Sequence, residues 1–307
     1  AATAGGAAES TLDRFRRDLS FFRTLPVTPP EYRNEKALAD LMLGEHALGY
    51  VGGAGSCAGC GEATAIRMLL AATRQVHGPE SMGIVAATGC NSVFGSTYPF
   101  NPYLVPWTNS LFENAPAVAA GIRTRWDQAG HPERKLWVMG GDGAMYDIGF
   151  QSLSRMVAAG ADIKVLVLDT QVYSNTGGQA SKATQRGAVA KFASAGKSTG
   201  KKDLGAIARA YGNVYVAQIA IGANDLQATK ALLEADAWPG PSLVIAYSTC
   251  IAHGIDMSTS MSHQKDATQA GFWPLWRYDP RLAHAGKHPF QLDSKRPTKP
   301  FSPTLKP

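Results

Sequence analysis

The chain has 307 residues, of which 45% are hydrophobic, and this is enough apolar material to bury one large core. The sequence contains no apolar run of transmembrane length and no signal-peptide hydrophobic region in its first thirty residues, so we expect a cytoplasmic protein without a membrane partner. The net charge of +6 does not indicate a nucleic-acid-binding protein, because the basic residues are scattered and lack interleaved aromatic residues.

Segments of strand and helix character alternate along the chain, which predicts an α/β fold. Residues 1–30 are rich in Ala and Gly and end on several prolines, and are interpreted as a linker or lead-in helix. Residues 31–285 are predicted to form one domain with a mostly parallel sheet and helices on both faces. Residues 286–307 contain repeated prolines and no periodicity, which predicts an extended C-terminal arm.

Short apolar, β-prone runs predict buried strands, and apolar residues at helical spacing predict helices. The predicted strands cover residues 84–88, 135–140, 163–168, 214–219 and 243–248. Helices are predicted over residues 65–76, 204–211 and 226–235. A further helix is expected directly after residue 143, with Asp147 as its N-cap and apolar residues at positions 148, 153, 156 and 157.

The most informative segment begins with Gly141-Asp142-Gly143, directly after the strand predicted over residues 135–140. Glycines permit a sharp turn and the close approach of a ligand, and a helix N-terminus attracts phosphate. The next predicted strand brings Asp169 and Thr170 to the same sheet edge. Mg²⁺ prefers such oxygen ligands. The spacing therefore predicts a metal-diphosphate site, whereas the triplet alone would indicate an ordinary turn.

The four cysteines provide an independent indication of function. Cys57 and Cys60 form a close pair, whereas Cys90 and Cys250 are single residues that each follow a predicted strand. A [4Fe-4S] cluster tolerates such dispersed thiolates when the fold brings them together, and reduced thiols suit the cytosol. From the residues alone, a zinc site and four unrelated buried thiols remain alternatives.

Residues 141–184 resemble the thiamine-diphosphate motif of the pyruvate:ferredoxin (or flavodoxin) oxidoreductases, in which Thr, as at Thr170, replaces the Asn of many thiamine enzymes. The loops around Cys57, Cys90 and Cys250 resemble the ligand loops of the same family, and the similarity covers most of residues 50–299. Asn91 departs from the small hydroxyl residue that is more usual there, which affects only local packing. The resemblance implies a thiamine-diphosphate-binding fold.

The resemblance also implies roles for single residues. The Asp142 carboxylate, the Thr170 side chain and the Val172 carbonyl would hold Mg²⁺. Asn175 would be the catalytic residue, beside the reactive thiazolium and the 2-oxo acid. Glu62 would lie close to the cofactor, although a favourable charge at a helix N-terminus also explains it. The complete implied sets are Glu62, Gly141, Asp142, Gly143, Thr170, Val172 and Asn175 for the cofactor, and Cys57, Cys60, Cys90 and Cys250 for the [4Fe-4S] cluster.

The implied activity is oxidative decarboxylation of pyruvate, with coenzyme A as co-substrate and ferredoxin or flavodoxin as electron acceptor. In this family the Glu that activates the pyrimidine of the cofactor comes from a separate domain, and no candidate for it is found in this sequence. We therefore expect the C-terminal thiamine-binding part of a longer, homodimeric enzyme, or a β-type subunit, that is inactive alone. The alternatives are a non-redox thiamine lyase with structural zinc and a non-catalytic assembly subunit.

Two other features lie near these motifs. Lys191, Lys197, Lys201 and Lys202 lie in a Gly/Ser-rich loop after residue 184. They predict either a solvated loop or attraction for an anionic partner, such as coenzyme A phosphates or an acidic ferredoxin or flavodoxin surface. His253, close to Cys250, is interpreted as support for that thiol or as a packing residue.

Overall fold

A computed structural model describes residues 10–26, 29, 31, 50, 55–95 and 103–300. Parts of the predicted lead-in segment (1–9, 27–28 and 30) and of the predicted C-terminal arm (301–307) lie outside the described residues. The described strands are β1 (Met82–Ala87), β2 (Trp107–Ser110), β3 (Lys135–Gly141), β4 (Lys164–Asp169), β5 (Val172–Tyr173), β6 (Gln179–Ala180), β7 (Tyr215–Ile219), β8 (Ser242–Tyr247), β9 (Trp276–Tyr278) and β10 (Phe290–Leu292).

Helices alternate with these strands through most of the chain. The described α-helices are α1 (Thr11–Thr24), α2 (Gly61–His77), α3 (Cys90–Val93), α4 (Ala115–Gln128), α5 (Asp142–Tyr146), α6 (Phe150–Ala158), α7 (Leu204–Arg209), α8 (Asp225–Ala237), α9 (Ser260–Gln269) and α10 (Pro280–His284). Short 3₁₀ turns occupy Pro79–Ser81, Ile251–His253 and Met257–Thr259. None of these described helices combines the length and apolar composition needed to cross a membrane.

The described residues contain an eight-stranded sheet in the order β10-β9-β7-β8-β4-β3-β1-β2. The six strands from β7 to β2 are parallel to one another, and at one edge β9 pairs antiparallel with both β7 and β10. β5 and β6 form a separate antiparallel ribbon. The mostly parallel α/β fold expected from the sequence is therefore confirmed, and the five predicted strands correspond to β1, β3, β4, β7 and β8.

Hydrophobic side chains cover both faces of the sheet, as a parallel sheet requires. Along β3, Trp137 and Met139 pack into one buried cluster with α2 and α8, and Leu136 and Val138 pack into another with α4 and α6. Successive residues of a strand point to opposite faces, so one fully apolar strand serves two cores. Helices on both faces are confirmed.

The segment after β3 differs from the prediction in one respect. The short helix α5 begins at Asp142 itself, and Asp147 lies after its end instead of capping the next helix. Helix α6 has Gly149 as its N-cap residue. The Asp147 carboxylate instead accepts a hydrogen bond from the Lys182 backbone amide, 3.2 Å away. A contact with a distant loop has thus replaced the predicted local cap.

The sheet continues beyond the domain boundary predicted at residue 285, because β10 lies in the segment predicted as an extended arm. Arg277 on β9 anchors this edge. Its guanidinium group donates two hydrogen bonds to the Glu234 carboxylate of α8 and two to the Asp293 carboxylate, at 2.7–2.9 Å. These contacts join residues far apart in sequence and tie the end of the described chain to the sheet.

Candidate functional site

Four strands that are neighbours in the sheet end at one edge and carry the predicted site residues directly after them. In spatial order these strands are β8, β4, β3 and β1. They are followed by Cys250, Thr170, Asp142 and Cys90, respectively. The carboxyl edge of a parallel sheet is where α/β proteins bind ligands. The tertiary structure therefore brings both predicted motifs to one edge.

A cavity of about 300 Å³ opens at this edge. Packing within the protein does not require glycine at positions 141 and 143. A Cβ atom added to Gly141 would lie 3.7 Å from its nearest neighbour, and one added to Gly143 would lie 3.4 Å away. The bare backbone faces a space that a ligand can fill. The cavity lining includes the predicted cofactor residues Glu62, Gly141, Asp142, Gly143, Val172 and Asn175, together with Cys90.

Asp142 is buried at the base of this site, with 2% of its surface exposed. Its carboxylate accepts hydrogen bonds from the Thr170 backbone amide at 3.1 Å and from the Ser181 hydroxyl at 2.7 Å. Burial, and then the nearby Asp169 carboxylate, raise the pKa of Asp142 well above its usual range. An ionised Asp142 therefore needs a positive charge, and a divalent cation would supply it.

The Thr170 hydroxyl and the Val172 carbonyl lie side by side next to this carboxylate, with the hydroxyl donating to the carbonyl at 2.8 Å. Gln171 between them has a φ of 63°, in the left-handed region that non-glycine residues rarely occupy. The Thr170 hydroxyl and the Val172 carbonyl lie within hydrogen-bond distance on either side of this turn. The Asp142 carboxylate accepts a hydrogen bond from the Thr170 amide, and the Thr170 hydroxyl donates one to the Val172 carbonyl. A carboxylate, a hydroxyl and a carbonyl linked in this way form a donor set that fits Mg²⁺. Thr170 itself lines an adjoining cavity, across the turn from the first.

Asp169, one residue earlier, has a role that sequence patterns did not assign. It is fully buried, and its carboxylate accepts hydrogen bonds from the Tyr146 hydroxyl and the Lys201 ammonium group, both at 2.5 Å. Lys201 also lowers the pKa of Asp142, although burial and Asp169 act more strongly in the opposite direction. Lys201 is therefore the internal counterion for two buried carboxylates.

The lysine-rich loop is consequently neither freely solvated nor fully available to a partner. Lys197 donates to the Thr184 carbonyl at 2.6 Å, and Lys202 donates to the Tyr146 carbonyl at 2.9 Å. Lys191 alone of the four is exposed. The alternative of a solvated loop is therefore wrong for Lys197, Lys201 and Lys202, whereas attraction for an anionic partner stays a prediction. The clustering of lysines in the sequence did not indicate these hydrogen bonds, because their acceptors are distant in sequence.

Three of the four thiols, those of Cys60, Cys90 and Cys250, lie close enough to Glu62 for its charge to affect their pKa. Burial raises the pKa of the Cys60 and Cys90 thiols to about 12, with the Glu62 carboxylate as the next cause that raises it. Cys57 contributes to the rise at Cys60, and Cys250 to the rise at Cys90. The Cys250 pKa is raised to about 11, first by burial. The described His, Cys, Asp and Glu side chains nevertheless include no group of three in a ready metal-binding arrangement.

Glu62 is buried at the start of α2, inside the cavity and beside the thiols. The Ser174 hydroxyl donates to its carboxylate at 3.1 Å, and the Cys90 thiol donates to the Ser174 hydroxyl at 3.3 Å. Burial raises the pKa of Glu62 to about 7, against the opposing effect of hydrogen bonds from Ser174 and the Asn91 amide. The carboxyl group is therefore partly protonated near neutral pH. Ser174 links the two predicted sites, and sequence reasoning missed it.

His253 contacts the predicted metal loop and not the neighbouring thiol. Its Nε2 atom lies 2.7 Å from the Thr170 carbonyl oxygen, so the ring donates a hydrogen bond there when Nε2 carries a proton. The interpretation of His253 as support for Cys250 is replaced by support for the Thr170 turn. The two residues are 83 positions apart, which explains why sequence spacing did not indicate the contact.

Comparisons with known proteins identify the family to which the chain is similar. The family model of the "Thiamine pyrophosphate enzyme, C-terminal TPP binding domain" matches residues 87–246. The pyruvate:ferredoxin oxidoreductase of Moorella thermoacetica is 40% identical over 80% of this chain and 27% of the relative. The pyruvate-flavodoxin oxidoreductase of Trichormus variabilis is 39% identical over 82% of this chain and 27% of the relative. The chain thus spans about a quarter of the length of these curated relatives.

A solved structure supports the fold assignment. The 2-oxoglutarate:ferredoxin oxidoreductase from Magnetococcus marinus, determined with 2-oxoglutarate, coenzyme A and succinyl-CoA bound, superposes with a TM-score of 0.57. The match covers 80% of this chain and 82% of that chain, at 20% sequence identity. At this identity the similarity concerns the fold alone.

Proposed function

Because this chain belongs to the thiamine pyrophosphate enzymes as a C-terminal TPP-binding domain, we propose that it holds thiamine diphosphate and Mg²⁺ in the cavity at the carboxyl edge of its sheet. We further propose that it does so as part of a pyruvate:ferredoxin or pyruvate:flavodoxin oxidoreductase. The convergence of Asp142, Thr170 and Val172 next to two bare glycines carries the proposal. The identity of about 40% to such enzymes supports the choice of reaction.

In this proposal the Asp142 carboxylate, the Thr170 hydroxyl and the Val172 carbonyl would hold Mg²⁺, which would supply positive charge for the diphosphate. Ser181 and the Thr170 amide orient the Asp142 carboxylate through their hydrogen bonds. Gly141 and Gly143 leave room for the diphosphate at the start of α5. A bound Mg²⁺ would add to the positive charge of Lys201 and keep Asp142 ionised.

Thiamine diphosphate, when bound, supplies an electron sink for loss of CO₂ from a 2-oxo acid. The protein's part is to orient the reactants and manage protons. Asn175 lies on the same cavity with an exposed amide that can donate to an oxygen of the substrate. Glu62, with its pKa raised to about 7, can hold or release a proton near neutral pH at the inner wall.

Cys57, Cys60, Cys90 and Cys250 are the proposed ligands of a [4Fe-4S] cluster, which would supply a one-electron acceptor near the cofactor cavity. Their mutual influence on pKa and the position of Cys90 on the cavity wall support this assignment. The test is the iron, sulfide and zinc content of anaerobically purified protein, with its visible spectrum. About four irons per chain and absorbance near 400 nm are expected, whereas zinc without iron would indicate a structural zinc site.

Coenzyme A as acyl acceptor, ferredoxin or flavodoxin as electron acceptor, and assembly into a homodimer of the whole enzyme belong to the same proposal. The relatives are about four times as long as the matched region, so further domains or subunits are expected to complete the active site. We expect the purified chain to bind thiamine diphosphate but not to decarboxylate pyruvate. Robust turnover by the chain alone would contradict this division of labour.

The binding proposal is tested by isothermal titration calorimetry with thiamine diphosphate and Mg²⁺. Asp142→Asn is expected to abolish the binding heat, because a neutral amide replaces the proposed anionic ligand of Mg²⁺. The matched control is Asp225→Asn, an exposed substitution in the first turn of α8, which should bind as the parent does. Equal heats for Asp142→Asn and the parent would refute the assignment, and no heat in either would favour a non-catalytic assembly subunit.

A further inference from the structure

A second cavity, of about 400 Å³, lies beside β7, β8 and β9. None of its lining residues lines the proposed diphosphate cavity. Its walls combine aromatic rings with cationic side chains. The lining includes Trp273, Trp276 and Phe290 among the aromatic residues and Lys201, Lys202 and Arg209 among the cations.

Arg209, the last residue of α7, is held rigidly in this cavity. Its guanidinium carbon lies 5.1 Å from the ring centroids of both Trp276 and Phe290, which are themselves 5.5 Å apart. Gly205, one turn earlier, permits this packing, since an added Cβ would lie 2.7 Å from the Trp276 ring. Contacts of this kind orient a guanidinium group and leave its N–H edge free.

The guanidinium group of Arg209 makes no hydrogen bond or ion pair among the described residues, and its Nε atom is completely buried without an acceptor. The two lysines of the same cavity differ in this respect. Lys201 is paired with Asp169, and Lys202 donates to the Tyr146 carbonyl. Arg209 is thus the cation of this lining that still lacks an acceptor within the described part of the chain.

A buried donor without an acceptor costs free energy, and the cost is greater for a charged group. The planar fork of a guanidinium group matches a carboxylate or a phosphate, which accept two parallel hydrogen bonds. The aromatic walls beside it suit an apolar or ring-shaped body. The cavity therefore combines an anchor for an oxyanion with a surface for the rest of a small molecule.

We propose that this cavity binds a small organic anion, a carboxylate or a phosphate monoester, whose anionic group pairs with Arg209 and whose body packs against the aromatic wall. The proposal is independent of the diphosphate site, because its anchoring residue has no part there. It assigns Arg209 a ligand-binding role that sequence spacing did not indicate. Both ligand classes, the carboxylate and the phosphate monoester, present negatively charged oxygen atoms to the guanidinium group.

The test uses three probes with the full chain: AMP as a phosphate monoester, benzoate as an aromatic carboxylate and inorganic phosphate as the anion alone. Binding is followed by calorimetry and by intrinsic tryptophan fluorescence, since Trp276 lies against Arg209. We expect saturable binding of AMP or benzoate, stronger than that of inorganic phosphate. Saturating thiamine diphosphate and Mg²⁺ should not displace the probe, so failure of the diphosphate proposal would be seen separately.

The decisive variant is Arg209→Gln, with Arg155→Gln on the exposed face of α6 as the matched control. Loss of a charge-assisted hydrogen-bonded pair should weaken probe binding by about ten-fold or more, whereas the control should bind as the parent does. If Arg209→Gln does not fold, Arg209→Lys is tested in its place. It retains the charge but not the planar guanidinium group, and should bind the probe more weakly than the parent does. The proposal is overturned if no probe binds saturably, or if Arg209→Gln binds as tightly as the parent.

Discussion

Glu62→Gln is expected to change the pH dependence of stability, because ionisation of this buried carboxyl group destabilises the folded protein. Burial raises its pKa from 4.5 to about 7 in the folded protein. Between these values the unfolded chain releases the proton while the folded chain retains it. Stability therefore falls as pH rises through this window, and the loss is complete above about pH 7.

The size of the effect follows from the two pKa values. At about 1.4 kcal/mol per pKa unit, ionisation of Glu62 costs the folded state about 3 kcal/mol at high pH. Most of this, about 2 to 3 kcal/mol, develops between pH 5 and pH 8. Glutamine has the same shape but does not ionise, and its side-chain oxygen can still accept the hydrogen bond from Ser174. The variant should therefore be the more stable protein at pH 8.

The assay is urea denaturation of the metal-free, reduced protein at pH 5 and pH 8. With an m-value of about 3 kcal/mol/M, Glu62→Gln should raise the urea midpoint by about 1 M at pH 8 and by little at pH 5. Glu133→Gln, at an exposed position, controls for the general loss of one negative charge. An identical pH dependence in the parent and Glu62→Gln would refute the reasoning, because Glu62 would then ionise without cost.

Two further predictions concern contacts between distant residues. Arg277→Met removes the partner of two carboxylates and should lower the free energy of unfolding by about 3 kcal/mol, measured by urea denaturation; a loss below about 1 kcal/mol would show that the ion pairs at this sheet edge contribute little. Gly61→Ala should destabilise the protein and reduce its iron content, because the added Cβ would lie 2.4 Å from the Thr249 backbone nitrogen, next to Cys60 and Cys250. The matched control is Gly121→Ala in α4, where nothing lies within 4 Å, and thermal unfolding should show a gain of up to about 1 kcal/mol. Equal effects of the two alanines would contradict the steric explanation.

Local sequence was sufficient for the central strands and for the positions of the motifs. The runs that form β3 and β4 are short, apolar and bounded by glycine or polar residues, so their ends were predicted within a residue. The edge strands were missed. β9 and β10 have three residues each, and β10 follows a proline, so their pairing depends on the Arg277 contacts and not on periodicity.

The same distinction applies within the site. The positions of Asp142 and Thr170 could be predicted because both follow strands that share one sheet edge, and the family resemblance added Val172 to the proposed Mg²⁺ ligands. Ser181, Lys201 and His253 were not identified as their supports, because loops determine these contacts. A hydrogen bond across tens of residues leaves no local pattern in a single sequence.

The sequence by itself determined the α/β fold, the two motifs and the resemblance to thiamine-dependent oxidoreductases, because these depend on short-range spacing and composition. The tertiary structure decided which charges are paired. It turned Lys201 inward to Asp169 and left Arg209 without an acceptor among the described residues, although both are basic residues near one helix. The physical reason is that burial and pairing depend on the whole packed surroundings of a side chain, and residues distant in sequence supply most of them.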